Sequence, residues 1–62
     1  MADLMTTEEV AEETRIPAAS LRWLRHVDRG PRSFKVGRRV MYRREDVEAF
    51  MTEAYTATVR GG

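Results

Sequence analysis

The sequence predicts a small α+β fold, three helices with a two-stranded β-hairpin between the second and the third. Three observations predict it. Thr14-Arg15-Ile16, followed by Pro17, reads as a tight connector between two short helical segments, because Pro17 disfavours helical geometry at Ile16 and suits the first turn of a new helix. Phe34 to Arg43 alternates apolar and polar residues about Gly37-Arg38, as two paired strands do. Val47, Phe50, Met51 and Ala54 then recur at i, i+3, i+4 and i+7, one face of a helix.

The first helix is expected from about Thr7 to Glu13. Thr6 and Glu9 have capping-box spacing, and Met5 and Val10 have the spacing of a hydrophobic staple. Val10 and Ala11 then face inward, with Glu8, Glu9, Glu12 and Glu13 largely solvated. The second helix is expected from about Pro17 to Val27, with Leu21 and Leu24 toward the core. Ala19, Arg22, Trp23 and His26 fall on the opposite side, flanked by Ser20 and Arg25. Arg29-Gly30-Pro31 should end it, glycine taking the left-handed conformation. In the hairpin, Phe34 and Val36 share a face, as do Val40 and Tyr42. Gly37 at the first central position suits a type II′ turn whose tip presents Lys35, Arg38 and Arg39. The last helix, about Glu45 to Ala54, carries acids in its first turn, where the helix dipole favours them, and should close the core. The 62 residues are expected to form one domain, 1–62, with 56–62 a frayed tail.

Composition narrows the function classes. With no cysteine and a single histidine, His26, the chain offers neither disulfides nor a zinc site, and no cofactor is expected. Catalysis needs convergent titratable groups, whereas the carboxylates here lie mostly in the two outer helices, so an enzyme is not expected. Glu9 with Glu12 or Glu13 reads as a solvated face rather than a catalytic pair. No apolar run approaches the roughly 20 residues of a membrane span. The acidic start Met1-Ala2-Asp3 is unlike a targeting peptide, so a soluble protein of the reducing cytoplasm is expected, without a membrane partner.

Charge carries the positive signal. The net charge is only +1, yet ten of the eleven bases lie between residues 15 and 44, together with one acid, Asp28. Residues 1–14 hold five acids and no base. A polyanion would meet the central segment as a positive surface, and two short helices joined by a three-residue turn have helix-turn-helix spacing. The second helix could then enter a major groove, with Arg22 reaching guanine edges or phosphate and Ser20 donating to phosphate near the helix start. Arg38 and Arg39 could enter a narrow minor groove. Trp23 has two readings: packing against the hairpin or the last helix, which is favoured, or lying along the sugar-phosphate edge. The candidate DNA-contacting residues are therefore Ala19, Ser20, Arg22, Trp23, Arg25 and His26 on the second helix, and Arg32, Lys35, Arg38, Arg39 and Arg43 in and around the hairpin.

Four stretches carry a family resemblance: Leu4-Met5-Thr6-Thr7-Glu8-Glu9-Val10-Ala11; Ser20-Leu21-Arg22-Trp23-Leu24-Arg25; Gly30-Pro31 with Phe34-Lys35-Val36-Gly37-Arg38-Arg39-Val40; and Tyr42-Arg43-Arg44-Glu45-Asp46-Val47-Glu48-Ala49-Phe50. In combination, over residues 4 to 51, they resemble the excisionase family of winged helix-turn-helix proteins. The resemblance implies a fold related to MerR-type DNA-binding domains, with the second helix in the major groove and the wing in the neighbouring minor groove. Many members are recombination directionality factors of phages and other integrated elements. They bind attachment-site DNA cooperatively, copy beside copy, bend it, and help a tyrosine integrase excise rather than integrate. Carried over by position, Ser20 and Arg22 take the recognition role, Arg25 and His26 lie beside them, and Arg38 and Arg39 take the wing tip. The chain departs from the family at Pro17-Ala18-Ala19, where a polar residue is common, and at Leu24 and Phe50, where Trp is common. A small transcriptional regulator of the same fold and a protein-interaction adaptor using Trp23 and the acidic helices are the rival readings.

Overall fold

The computed structural model describes residues 3–61. Met1 and Ala2 of the acidic start, and Gly62 at the end of the expected tail, lie outside the described residues. The elements follow in the order β1 (Leu4–Thr6), α1 (Thr7–Thr14), α2 (Ala18–His26), β2 (Ser33–Val36), β3 (Arg39–Arg43) and α3 (Arg44–Thr58).

The capping box at Thr6 is present in both directions. The Glu9 N–H donates to Thr6 Oγ1 at 3.1 Å, and the Thr6 N–H donates to Glu9 Oε1 at 2.8 Å. Met5 and Val10, the staple pair, are both buried and belong to one core cluster. At its other end α1 stops on Arg15, a non-glycine residue in the left-handed region with φ 64°. The Thr14 hydroxyl secures that turn: it donates to the Val10 carbonyl at 2.7 Å and accepts from the Ile16 N–H at 3.3 Å. Pro17 then caps α2 through its backbone, its carbonyl accepting from the Leu21 N–H at 3.0 Å. The turn of the two-helix unit thus rests on a buried threonine and a left-handed arginine.

The end of α2 corrects one expectation. The left-handed residue is Asp28, with φ 56°, and not Gly30. The Arg29 N–H reaches the Leu24 carbonyl at 2.9 Å and the Asp28 N–H reaches that of Arg25 at 3.2 Å, the paired bonds of a Schellman motif. An aspartate tolerates this conformation better than most residues. Gly30 instead packs close against Leu24, where a Cβ would sit 3.0 Å from the Leu24 Cβ, a contact tighter than ordinary packing.

The hairpin is one part of a three-stranded antiparallel sheet of order β1-β3-β2. Pairing of Val36 with Arg39 leaves Gly37-Arg38 as a two-residue loop. Gly37 has φ 63° and Arg38 is not among the residues of positive φ, as the expected type II′ turn requires and type I′ does not. β1 extends the expected two strands to three. Met5 pairs with Tyr42, and both are buried. The opposite face carries Phe34 opposite Met41 and Val36 opposite Arg39, with Phe34 and Val36 exposed.

Met5, Val10, Leu21, Tyr42 and Val47 form the buried core, with Ala11, Ile16 and Val40 packed against it. Each element of secondary structure except β2 contributes one of these five side chains. Leu24, expected inward, is half-buried. α3 departs most from expectation. Val47 is buried and Phe50 half-buried, but Met51 and Ala54 are exposed, so only its first turns close the core. It also continues through Thr56 and Ala57 to Thr58, where a frayed tail was expected. The Thr58 hydroxyl donates to the Ala54 carbonyl at 2.7 Å, and the Val59 N–H caps onto Tyr55 at 2.8 Å. With neither Gly nor Pro between Arg38 and Arg60, each added residue gains a hydrogen bond once the helix is nucleated.

Candidate nucleic-acid interface

Helix α2 and strand β3 bring cations together across the molecule. Arg22 and Arg25, three apart on one side of α2, line a concavity of about 230 Å³ with Arg39, Val40 and Met41 of β3 and with Thr6, Thr7 and Glu8 at the start of α1. Arg25, half-buried, also borders a second hollow with Asp28, Gly30, Pro31, Arg32 and Ser33. It therefore links the helix to the basic loop. Ala19, Ser20, Arg22, Trp23 and His26 are all exposed, as are Arg32, Lys35, Arg38 and Arg39.

Trp23 is 62% exposed. The favoured reading, that it packs against the hairpin or the last helix, is corrected. α2 offers its core one narrow stripe, which Leu21 fills, and Trp23 stands well away from Leu21 at about 100° per residue. At the start of α2, Pro17 supplies no side-chain cap, and Ser20 lies in the first turn among backbone N–H groups without intrahelical partners. Arg25 and His26 occupy the last turn, where the Arg25 charge complements the helix dipole.

Two bases of the positive segment are committed elsewhere. Arg43 ends β3 at the end opposite the hairpin tip and is ion-paired with Glu45, so it is not gathered with Arg38 and Arg39. Arg44 ties the start of α3 to β1 and α1. Its Nε donates to Asp3 Oδ2 at 2.8 Å, its backbone N–H donates to the Asp3 carbonyl at 2.8 Å, and its Nη1 lies 3.7 Å from Glu13 Oε1. The hydrogen bond to Asp3, ahead of the negative charge of Asp3, Glu13 and Glu48, raises its pKa above the usual arginine value. Arg44 stays charged throughout.

Sequence reasoning missed Glu8 as part of this region. Its Oε2 lies 3.3 Å from Nη2 of Arg22. The two residues are fourteen apart in the chain, and no local spacing signals a contact made by folding one helix over another. Asp3, Glu9, Glu12 and Glu13 line a different and larger concavity of about 950 Å³, with Arg15 and Arg44, which shares no residue with the Arg22 concavity. Most carboxylates of the first helix thus line one concavity, together with Arg15 and Arg44, while Glu8 stands in the other among Arg22, Arg25 and Arg39.

Compared with known proteins, residues 4–55 match the model of a family described as a helix-turn-helix domain. No curated protein and no solved structure matches the chain. The family match spans α1, the turn, α2, the sheet and most of α3, and three helices with a three-stranded antiparallel sheet are the parts of a winged helix-turn-helix. The chain belongs to this helix-turn-helix domain family, and DNA is the ligand class that goes with it.

Proposed function

We propose that the chain recognises specific duplex DNA and bends it as an excisionase, a recombination directionality factor that helps a tyrosine integrase excise an integrated element. The observation that carries the DNA-binding part is the grouping of Arg22 and Arg25 of α2 with Arg39 of the wing around one concavity. A major groove admits one helix, and a guanidinium matches the O6 and N7 acceptors of guanine. In this reading α2 lies in the major groove with Arg22 toward the base edges, Ser20 donates to a phosphate at the start of the helix, and Trp23 lies along the sugar-phosphate edge. The wing tip, Gly37-Arg38 with Arg39 beside it, enters the adjoining minor groove, whose negative potential attracts guanidinium. Arg25, His26, Arg32 and Lys35 flank these contacts. The resemblance over residues 4 to 51 supports the narrower excisionase role.

Successive copies on repeated sites would give the bend its size. The acidic faces of α1 and α3 are complementary to the basic loop Arg29 to Arg32 of a neighbouring copy, a heterologous contact that propagates without closing into a ring. The test is a mobility-shift titration of attachment-site duplex against random duplex, followed by an excision assay with the cognate integrase. With about four to six phosphate contacts, log K against log salt should have a slope of about −4 to −5. A flat dependence would reject DNA binding and favour a protein-interaction role. Salt-dependent, specific binding that leaves excision unchanged would reject the excisionase role and leave a transcriptional regulator.

A further inference from the structure

A carboxylate stands among the arginines that face DNA in this reading. Among the described residues, Glu8 is the one acidic residue lining the concavity that holds Arg22, Arg25 and Arg39. It leaves the first turn of α1, whose start is held by the reciprocal Thr6 and Glu9 bonds, and crosses to α2 to meet Arg22 at 3.3 Å. Both side chains remain largely exposed, at 56% for Arg22 and 71% for Glu8. A pair so placed contributes little to stability. Its physical effect falls instead on what Arg22 can do.

We propose that Glu8 is a specificity-determining positioning residue, which holds the Arg22 guanidinium for a guanine edge and disfavours its use on phosphate. The inference rests on the DNA-binding reading above. Arginine presents five N–H donors in a planar fork. Two of them satisfy guanine O6 and N7, leaving others to stay on Glu8, so the pair survives base reading. A phosphate can engage the same two donors, but it carries a negative charge that the guanine edge lacks. On a non-specific duplex Arg22 is drawn toward the backbone, and the Glu8 carboxylate, brought close to the same phosphates, opposes the approach. DNA seated over the concavity also excludes water, which strengthens the retained pair at the specific site. Glu8 thereby weakens binding to all duplexes and weakens it least where a guanine meets Arg22.

The experiment compares the wild type with Glu8→Gln, Glu8→Asp, Arg22→Ala and the Glu8→Gln/Arg22→Ala double variant. Two duplexes are used: one that the wild type enriches from a randomised pool, and its scrambled counterpart. Fluorescence anisotropy over a range of salt gives each affinity and slope. Glu8→Gln should tighten the scrambled duplex by about two- to fivefold and steepen its salt slope by about one unit, as Arg22 takes up a phosphate. The enriched duplex should gain less, so discrimination falls, and Glu8→Asp should restore part of it. In the Arg22→Ala background Glu8→Gln should leave discrimination unchanged. The proposal is overturned if Glu8→Gln leaves discrimination unaltered in the wild-type background, or lowers it equally without Arg22. If the wild type enriches no sequence and shows no salt dependence, the DNA-binding reading itself fails along with it.

Discussion

Arg22 and the wing arginines make different kinds of contact in the proposed complex, and substitution should separate them. Arg22→Ala should lose about 1 to 3 kcal/mol of binding at the specific site while sparing non-specific binding, because base contacts carry the sequence information. Removing Arg38 and Arg39 together should weaken binding to all sequences more evenly, since the wing acts through backbone and groove shape. Unchanged affinity for the specific site in both variants would mean that the binding face lies elsewhere. A second residue-scale test concerns the turn between α1 and α2. Arg15 holds φ 64° there, a conformation that costs a side chain about 1 to 2 kcal/mol and a glycine almost nothing. Glycine adds freedom to the unfolded chain, which offsets part of the gain. Arg15→Gly should therefore raise stability by up to about 1 kcal/mol, read from the urea midpoint. Destabilisation would show that the Arg15 side chain supports the turn in a way its backbone conformation does not reveal.

At the scale of elements, α3 divides into an anchored half and a projecting half. Val47 is buried at 2% exposure, whereas Tyr55, two turns on, is 67% exposed. Val47→Ala should cost about 1 to 3 kcal/mol through lost burial and the space left behind. Tyr55→Ala should change stability by less than about 0.5 kcal/mol. Thermal melting of the two variants checks the division, and equal losses would mean that the far half of α3 packs against something in solution. The helical period of Val47, Phe50, Met51 and Ala54 marks the apolar face correctly without showing how far along it a partner extends. Periodicity describes one element, whereas burial requires a second surface opposite it. The sheet holds the same lesson. β1 is three residues long, and its partner β3 follows only after both helices of the helix-turn-helix, so no alternation or turn residue announces it.

The whole molecule sets what one bound copy can achieve. A module of this size covers about 600 to 1,000 Å² of protein surface on DNA, which allows few base contacts. Several copies on neighbouring repeats would supply the missing affinity, and wings inserted in helical phase would add their bends. Duplexes carrying one, two and three repeats should therefore show cooperative filling, with a bend that grows with each copy. Titration with bending followed by fluorescence transfer reads both. Independent binding to straight DNA would remove the excisionase reading and leave that of a regulator. The acidic concavity about Asp3, Glu9, Glu12 and Glu13 and the basic loop Arg29 to Arg32 would give a copy two unlike surfaces, as a head-to-tail contact requires.

The sequence by itself determined whatever depends on near neighbours in the chain. The cap at Thr6 and Glu9, the break at Pro17, the two-residue turn at Gly37-Arg38 and the exposed stripe of α2 follow from spacings of a few residues, over which local sterics and hydrogen bonding act. The charge segregation that suggested a polyanionic ligand is likewise written along the chain. Tertiary structure alone decided what lies opposite each element. It left Trp23 uncovered, left half of α3 exposed among the described residues, paired Met5 with Tyr42, drew Arg44 onto Asp3 and Glu13, and set Glu8 against Arg22. Each of these turns on residues distant in sequence or on a surface that only the assembled fold provides. Burial and long-range ion pairing depend on distances in space, and a linear pattern states those distances only within one helix or strand.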